Sequence, residues 1–395
     1  MHLTKEEGRL LRGEYGTIVQ KAIKILVTLG DVFGAERLGK IESAHISGIS
    51  YENIGESGLN FLEEWASKDV IASVPTTINP CGMDMERWQE FKISKTFAEK
   101  QTRIVDSFEK MKITKSLTCT PYLVGNKPKI GEHIAWAESS AIVFANSVLG
   151  ARTNREGGPS ALASAITGRT PIFGYHLDEG RAPTHEIHVK EQMKGPLEHS
   201  ILGYHVGKEL RQCVPLFKGL GNPNLEELKA LSAGLAASGA VAIYHIQNVT
   251  PEEKAFRENC YERINVERDA LSETAWKIST EKLYDHICIG CPHCSLKEIA
   301  GIADRVANRK LKRKLWIFTS RFICEKAKRL GYFEAIEKAG GKVISDTCMV
   351  VAPMKEMGVQ GMITNSCKAA HYVPNTCKVP ATLKSVDECL KAAFE

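Results

Sequence analysis

Twelve cysteines are spread through the 395 residues. The densest group lies in Y-D-H-I-C-I-G-C-P-H-C-S, residues 284–295, which holds Cys288, Cys291 and Cys294. Thiolates are nucleophiles and soft ligands for zinc or iron–sulfur clusters. An apolar run turns at Gly290 and Pro292, and a helical pattern (Ile299, Ile302, Ala303, Val306) follows at once. Cys291 and Cys294 are therefore expected where a strand meets a helix N-terminus, a position that favours thiolate. The same order recurs downstream. Leu315-Trp316-Ile317-Phe318 ends in Thr319-Ser320-Arg321, Lys342-Val343-Ile344-Ser345 in Asp346-Thr347-Cys348, and Gly361-Met362-Ile363 in Thr364-Asn365-Ser366-Cys367-Lys368. In an open parallel sheet the loops after the strand carboxyl ends share one edge, where ligands bind. The pattern predicts that Cys291, Cys348 and Cys367 converge there with Arg321 and Lys368.

Cys119, Cys291, Cys348 and Cys367, each in a turn beside Thr, Ser, Asp or Asn, are the candidate metal ligands. Three thiolates leave one iron of a cubane without a protein ligand, and such an iron can act as a Lewis acid on a hydroxyl and a carboxylate. Cys213, Cys260, Cys324 and Cys389 lie in helix-like segments and suit a core role. A structural zinc site built on Cys288, Cys291 and Cys294 stays open, although it lacks a second ligand pair. Glu138 before Ser139 and Ser140 reads either as a helix cap or as a buried acid/base group. Arg321 and Lys368 suit a carboxylate or phosphate, or else are solvated loop cations. His185-Glu186-Ile187-His188 follows Pro183 in a loop context that favours a surface or packing role. No Walker loop or G-x-G-x-x-G occurs, so a nucleotide cofactor is not indicated.

The elements that must position these groups read as α/β. In the N-terminal third, a helix is expected over 10–29, a strand at Ala44-His45-Ile46, a helix over 58–66 and a turn-rich loop over 74–84. A polar helix over 84–112 and a short strand over 116–122 come next. Trp136-Ala137-Glu138-Ser139-Ser140 opens an apolar helix, then a glycine-rich loop, then a second small-residue helix over 161–167. Helices so rich in Ala, Ser and Gly suit close-packed scaffold around a site. Residues 182–220 read as loop-rich. Asn224 can cap a helix, with Glu227 three residues on, and 240–246 reads as the strand after it. Two parts are expected: residues 1–210, an N-terminal α/β part with substrate loops and Ala/Gly-rich helices, and residues 211–395, a βα part carrying most of the cluster cysteines.

The totals exclude several classes. Hydrophobic content of 43% and charged content of 25% describe an ordinary globular chain. A net charge of +5 suits an anionic small substrate but is too weak and scattered for nucleic acid. The one basic run, residues 309–314, reads as a solvated loop. The first residues are polar, the longest apolar run (141–151) is too short to span a bilayer, and the cysteine usage points to a reducing, cytoplasmic compartment.

Several stretches together resemble the aconitase X family. They are A-H-I-S-G-I-S-Y (44–51), T-T-I-N-P-C-G-M-D (76–84), T-C-T-P-Y (118–122), A-E-S-S-A-I-V-F-A-N-S-V-L-G-A-R-T-N-R-E-G-G-P (137–159), C-P-H-C-S (291–295), D-T-C (346–348) and N-S-C-K-A-A-H-Y (365–372). The resemblance covers essentially the whole chain and implies an aconitase-like multi-domain α/β fold with a parallel βα sheet in the C-terminal part. A chain of this length resembles the family's separate archaeal large subunit. That form implies a hydro-lyase that dehydrates (R)-5-phosphomevalonate to trans-anhydromevalonate 5-phosphate in the modified mevalonate pathway. It also implies a 4Fe–4S cluster with one open iron and a small swivelling-domain partner subunit. Carried over by motif, Cys119, Cys291 and Cys348 are the cluster ligands, with Cys367 in reserve. Gly48, Ile49, Ser50, Asn79, Pro80, Glu138, Ser139 and Lys368 surround the phosphorylated hydroxy acid, and Glu138, Ser139 and Lys368 are the catalytic candidates. The alternatives are a cis-3-hydroxy-L-proline dehydratase of the same family, a zinc-stabilised binding protein, and a non-catalytic scaffold for the partner.

Overall fold

Three parallel sheets carry the chain in a computed structural model that describes residues 1–256, 261–280 and 284–395. Ser43–Ile46 is the middle strand of the first, flanked by Thr76–Ile78 and Ile134–Trp136. His185–Val189 and Pro215–Lys218 form the centre of the second, with His245–Ile246 and Glu262–Val266 at its edges. The third has five strands in the order Lys342–Ser345, Lys314–Thr319, His286–Ile289, Met362–Thr364 and Ala381–Leu383. His286–Ile289 comes first in sequence and sits in the middle, so the winding reverses beside it and opens a crevice at the carboxyl edge. The expected multi-domain α/β fold with a parallel C-terminal sheet is borne out.

The strand–turn–helix units of the third sheet follow from local sequence. The N-caps Ser295, Ser320 and Ser366 each accept a backbone N–H of the first turn of Leu296–Val306, Arg321–Arg329 and Cys367–Thr376. Gly290 has φ +114°, and a Cβ there would lie 2.2 Å from the Phe318 carbonyl oxygen, so only glycine lets the chain turn this tightly before Cys291. Residues 309–313 of the basic run occupy the connection between Leu296–Val306 and Lys314–Thr319, as expected, and Lys314 opens the strand.

Other expectations are corrected. The segment 182–220 is not loop-rich: it contains His185–Val189, the helix Gly195–Leu210 and Pro215–Lys218. Pro196 occupies the first turn of that helix, where no N–H is needed. The helix lies almost backbone to backbone on Leu225–Gly239, because a Cβ on Gly203 would meet the Leu231 carbonyl oxygen at 2.4 Å. His185 and His188 are therefore strand residues, and His188 bonds Glu186 at 3.0 Å. The expected helix over 10–29 is two helices, Lys5–Arg12 and Thr17–Val32, broken at left-handed Gly13. The polar helix begins only at Lys95, capped by Ser94, and ends at Lys110. In 240–246 only His245–Ile246 pairs as strand, and 116–122 holds no strand but a short 3-10 turn, Pro121–Leu123. The Asn224 cap and its capping box with Glu227 are present as read. Cys260 lies outside the described residues.

Candidate active site

The first and third sheets meet edge to edge. The Cys81 N–H donates to the Asp346 carbonyl (2.8 Å), and Ser50 Oγ donates to the Val351 carbonyl (2.7 Å). Between them lies a cavity of about 170 Å³ lined by Asn79, Pro80, Cys119, Glu138, Ser139, Cys291, Cys348 and Lys368, with Val350, Val351 and Tyr372. Cysteines separated by up to 229 positions in sequence thus share one wall-to-wall space. Three supports hold them. Cys291 follows the Gly290 turn, Cys348 the strand Lys342–Ser345, and Cys119 the turn whose Thr118 N–H donates to the Ile78 carbonyl (3.1 Å).

His293 ties these supports together. Its N–H donates to Cys119 Sγ (3.2 Å), Nδ1 lies 3.0 Å from Thr118 Oγ1, and Nε2 lies 2.9 Å from the Thr347 carbonyl. With a carbonyl facing Nε2, that nitrogen carries the proton and Nδ1 accepts from Thr118. Burial keeps this imidazole neutral, with its pKa pushed down to about 4.

The polar wall is centred on Glu138. Asn79 Nδ2 donates to its Oε2 (2.8 Å), while Oε1 receives Ser140 Oγ (2.9 Å), the Ser140 N–H (3.3 Å) and the Lys368 ammonium. Burial alone would raise the Glu138 pKa, but Lys368, Asn79 and Ser140 outweigh it and hold the group down at about 2. Lys368 is correspondingly raised: its burial is overcome by Glu138, with the thiols of Cys291 and Cys119 adding to it. The site therefore offers a fixed carboxylate carrying a fixed ammonium. Glu138 is both the cap of Ser139–Phe144 and a site residue, so both readings of it hold.

All three thiols are buried and unpaired. Burial raises the Cys119 pKa to about 12, and the nearby Glu138 charge adds to this; burial raises Cys291 and Cys348 as well. The thiolate expected at the Cys291–Cys294 turn is thus overturned in the protein by itself, because desolvation exceeds the helix-terminus field. A cation placed among these sulfurs would reverse the balance. No group of three or more His, Cys, Asp or Glu side chains among the described residues is arranged to hold a metal ion. Cys288 and Cys294 do not join the cavity: Cys288 is in a strand, and Cys294 is in the core under Leu296–Val306.

Two expected neighbours are elsewhere. Arg321 is held by Asp84 (2.7 Å), Asp346 (2.5 Å) and Glu86 (2.6 Å), away from the cavity lining. Cys367 begins its helix with its N–H directed at Ser200 Oγ (3.4 Å), facing the helix Gly195–Leu210. Gly48 and Ile49 stand behind the lining; the Ile49 carbonyl accepts Gln101 Nε2 (2.9 Å). Sequence reasoning missed Val350 and Val351, which carry no motif of their own, and gave no site role to Tyr372 or His45, although both lie in the motifs 365–372 and 44–51. His45 is buried behind Asn79 with its pKa lowered by desolvation to about 4.

Parallel-sheet edges, a thiol-lined cavity and a buried Lys–Glu pair define the class, and the comparisons agree with it. Family profiles described as Aconitase X first, second and third domain match residues 1–179, 183–276 and 284–395. The chain belongs to the aconitase X family. It is 49% identical to the "Phosphomevalonate dehydratase large subunit" of Methanocaldococcus jannaschii, over 99% of this chain and 100% of that protein. The protein so named from Methanothermobacter thermautotrophicus is 47% identical over 96% of each chain. The "Cis-3-hydroxy-L-proline dehydratase" of Pseudomonas aeruginosa is 33% identical over 97% of this chain and 68% of its own. The crystal structure of Thermococcus kodakaraensis aconitase X in its holo-form superposes with a TM-score of 0.93 at 45% identity, covering 100% of both chains. The expected family and enzyme class are borne out: these relatives are dehydratases.

Proposed function

We propose that this chain is the large, catalytic subunit of a hydro-lyase that converts (R)-5-phosphomevalonate to trans-anhydromevalonate 5-phosphate. The observation that carries this is the convergence of Cys119, Cys291 and Cys348 with the Glu138–Lys368 pair on one cavity. The full-length relatives named phosphomevalonate dehydratase large subunit support the substrate. Those three thiols, although not gathered as ligands of a single ion, suit an iron–sulfur cluster as soft donors that line one cavity and feel one another's charge. A 4Fe–4S cluster held by them would supply a Lewis-acidic iron with an open position for the leaving hydroxyl.

The chain's own residues do the rest. Lys368, kept charged by Glu138, holds a substrate carboxylate oxygen, and Asn79 and the Ser139 hydroxyl complete the polar wall. Pro80 lines the cavity, and the Gly48-Ile49-Ser50 loop behind it is fixed by Gln101 and the Val351 carbonyl. The C2 proton and the C3 hydroxide leave as one net water, and the electron pair of the C2–H bond becomes the C2=C3 double bond. Glu138, which receives Asn79 Nδ2, Ser140 Oγ and the Lys368 ammonium, fixes the lysine against the cavity. Arg321 is committed to its three carboxylates and is not assigned to the phosphate. In this division of labour residues 1–210 supply most substrate groups and one ligand, and residues 211–395 supply two ligands and Lys368. A small swivelling subunit would close the cavity, as the "large subunit" naming of the relatives suggests. The eleven cysteines among the described residues are unpaired, which suits the reducing cytoplasm, and no helix among the described residues is long and apolar enough to cross a membrane.

The test is anaerobic reconstitution with iron, sulfide and the small subunit, followed by assay of both substrates. Formation of the anhydro-phosphate product is expected. Turnover of cis-3-hydroxy-L-proline alone would replace the substrate assignment, and zinc without labile sulfide would replace the cofactor.

A further inference from the structure

Behind the cavity runs a buried chain of polar groups whose hydrogen-bond directions are determined. Asn79 Nδ2 lies 2.8 Å from Glu138 Oε2, and Asn79 Oδ1 lies 3.0 Å from His45 Nε2. An ionised carboxylate can only accept, so the amide nitrogen must face Glu138 and the amide oxygen must face the imidazole. That oxygen in turn requires the proton of His45 to be on Nε2. Nδ1 is then an acceptor, 2.8 Å from Thr77 Oγ1, and the Thr77 oxygen receives Asn126 Nδ2 at 2.8 Å. Both imidazole nitrogens are thereby used, in a ring that is fully buried. Asn79 has one amide hydrogen left over. It lines the cavity, and no described residue accepts that hydrogen.

We propose that His45 is a positioning residue for the dehydration: its Nε2–H locks the Asn79 amide so that Asn79 presents an N–H, and not a carbonyl oxygen, to an oxygen of the anionic substrate. This rests on the cavity being the dehydration site. A histidine that merely fills the core would stabilise the first sheet without acting through Asn79. The two roles part in a double-mutant cycle, since only residues that act through each other are non-additive.

The cycle uses His45→Leu, Asn79→Ala and the double variant in the reconstituted two-subunit holoenzyme, with kcat, KM, iron content and melting temperature read for each. His45→Leu is expected to lower kcat/KM on the order of 10- to 100-fold, the loss of one hydrogen bond to a charged ligand. In the Asn79→Ala background the same change should cost less than about threefold. His45→Gln, which can keep an N–H directed at Asn79, should retain more activity than His45→Leu, and it takes its place in the cycle if the leucine variant does not fold. Losses that multiply, or equal losses in both variants that follow melting temperature, overturn the proposal. A wrong substrate would show differently, as no turnover of 5-phosphomevalonate by the unmutated enzyme; the cycle is then read on the hydroxy acid it does dehydrate.

Discussion

Lys368 and Arg321 begin as equivalents and end with different work. Each is a cation just beyond a strand carboxyl end of the same five-stranded sheet, in a first helical turn, paired with an acid from the N-terminal part. Lys368 follows Met362–Thr364, beside the central strand where the winding reverses, and its ammonium reaches the cavity on Glu138. Arg321 follows Lys314–Thr319, on the other side of that strand, and binds Asp84, Glu86 and Asp346 instead. One cation faces an opening; the other clamps two sheets together. Position relative to the crevice, and not residue type, decides which becomes a chemical group.

The cysteines draw the same distinction and give the largest expected effect. Cys291→Ser or Cys348→Ser should abolish the visible absorbance expected of the proposed iron–sulfur cluster and lower turnover by at least about 10³-fold. Cys294→Ala, three residues from Cys291 but packed in the core, should keep iron and labile sulfide while losing roughly 1–2 kcal/mol of stability. Iron, sulfide and absorbance on the purified holoenzyme check this; loss of iron in the Cys294 variant alone would invert the ligand assignment.

The two cations follow. Lys368→Met should reduce kcat/KM by about 10²–10³-fold. Arg321→Met should act on stability, by roughly 3–5 kcal/mol, because buried carboxylates lose their partner. Per folded molecule it should keep turnover near that of the unmutated enzyme. Denaturant midpoints beside steady-state kinetics separate the two, and an Arg321 variant stable but inactive would restore it to the site.

A pH dependence sharpens the pair further. Glu138 titrates near 2 in the folded chain against an ordinary 4.5, so the unfolded chain binds the proton more readily. Its contribution to stability is complete above about 4.5 and is lost as pH falls toward 2. The stability difference between the unmutated protein and Lys368→Met should therefore be widest above pH 5 and should narrow as pH falls to 3, as urea midpoints would record. The smallest effect belongs to the basic run: Lys310→Gln and Lys312→Gln, on an exposed connection, should change stability by less than about 0.5 kcal/mol and leave turnover alone.

Much of this was legible without coordinates wherever the signal is local. Alternating strand and helix patterns, the serine N-caps and Gly290 mark the third sheet because each depends on residues within one turn of itself. The capped helix at Asn224 follows for the same reason. The segment 182–220 was misread because its helix is stabilised by backbone contact between glycines of two helices, which leaves no apolar stripe to count. His45 lies in the motif 44–51, but its role was not legible there, since a lone buried histidine looks the same whether it fills space or orients an amide.

By itself, the amino-acid sequence determined the strand–turn–helix units of the third sheet, the turns that bear Cys119, Cys291 and Cys348, and a family resemblance resting on contiguous motifs. Only the tertiary structure decided which of the turn cysteines share a cavity, that Cys294 and Cys367 do not, and that Lys368 meets Glu138 while Arg321 is drawn to Asp84. Helix caps and tight turns are settled by neighbours a few residues apart. Which charge faces an opening is settled by how two sheets, distant in the chain, bring their edges together.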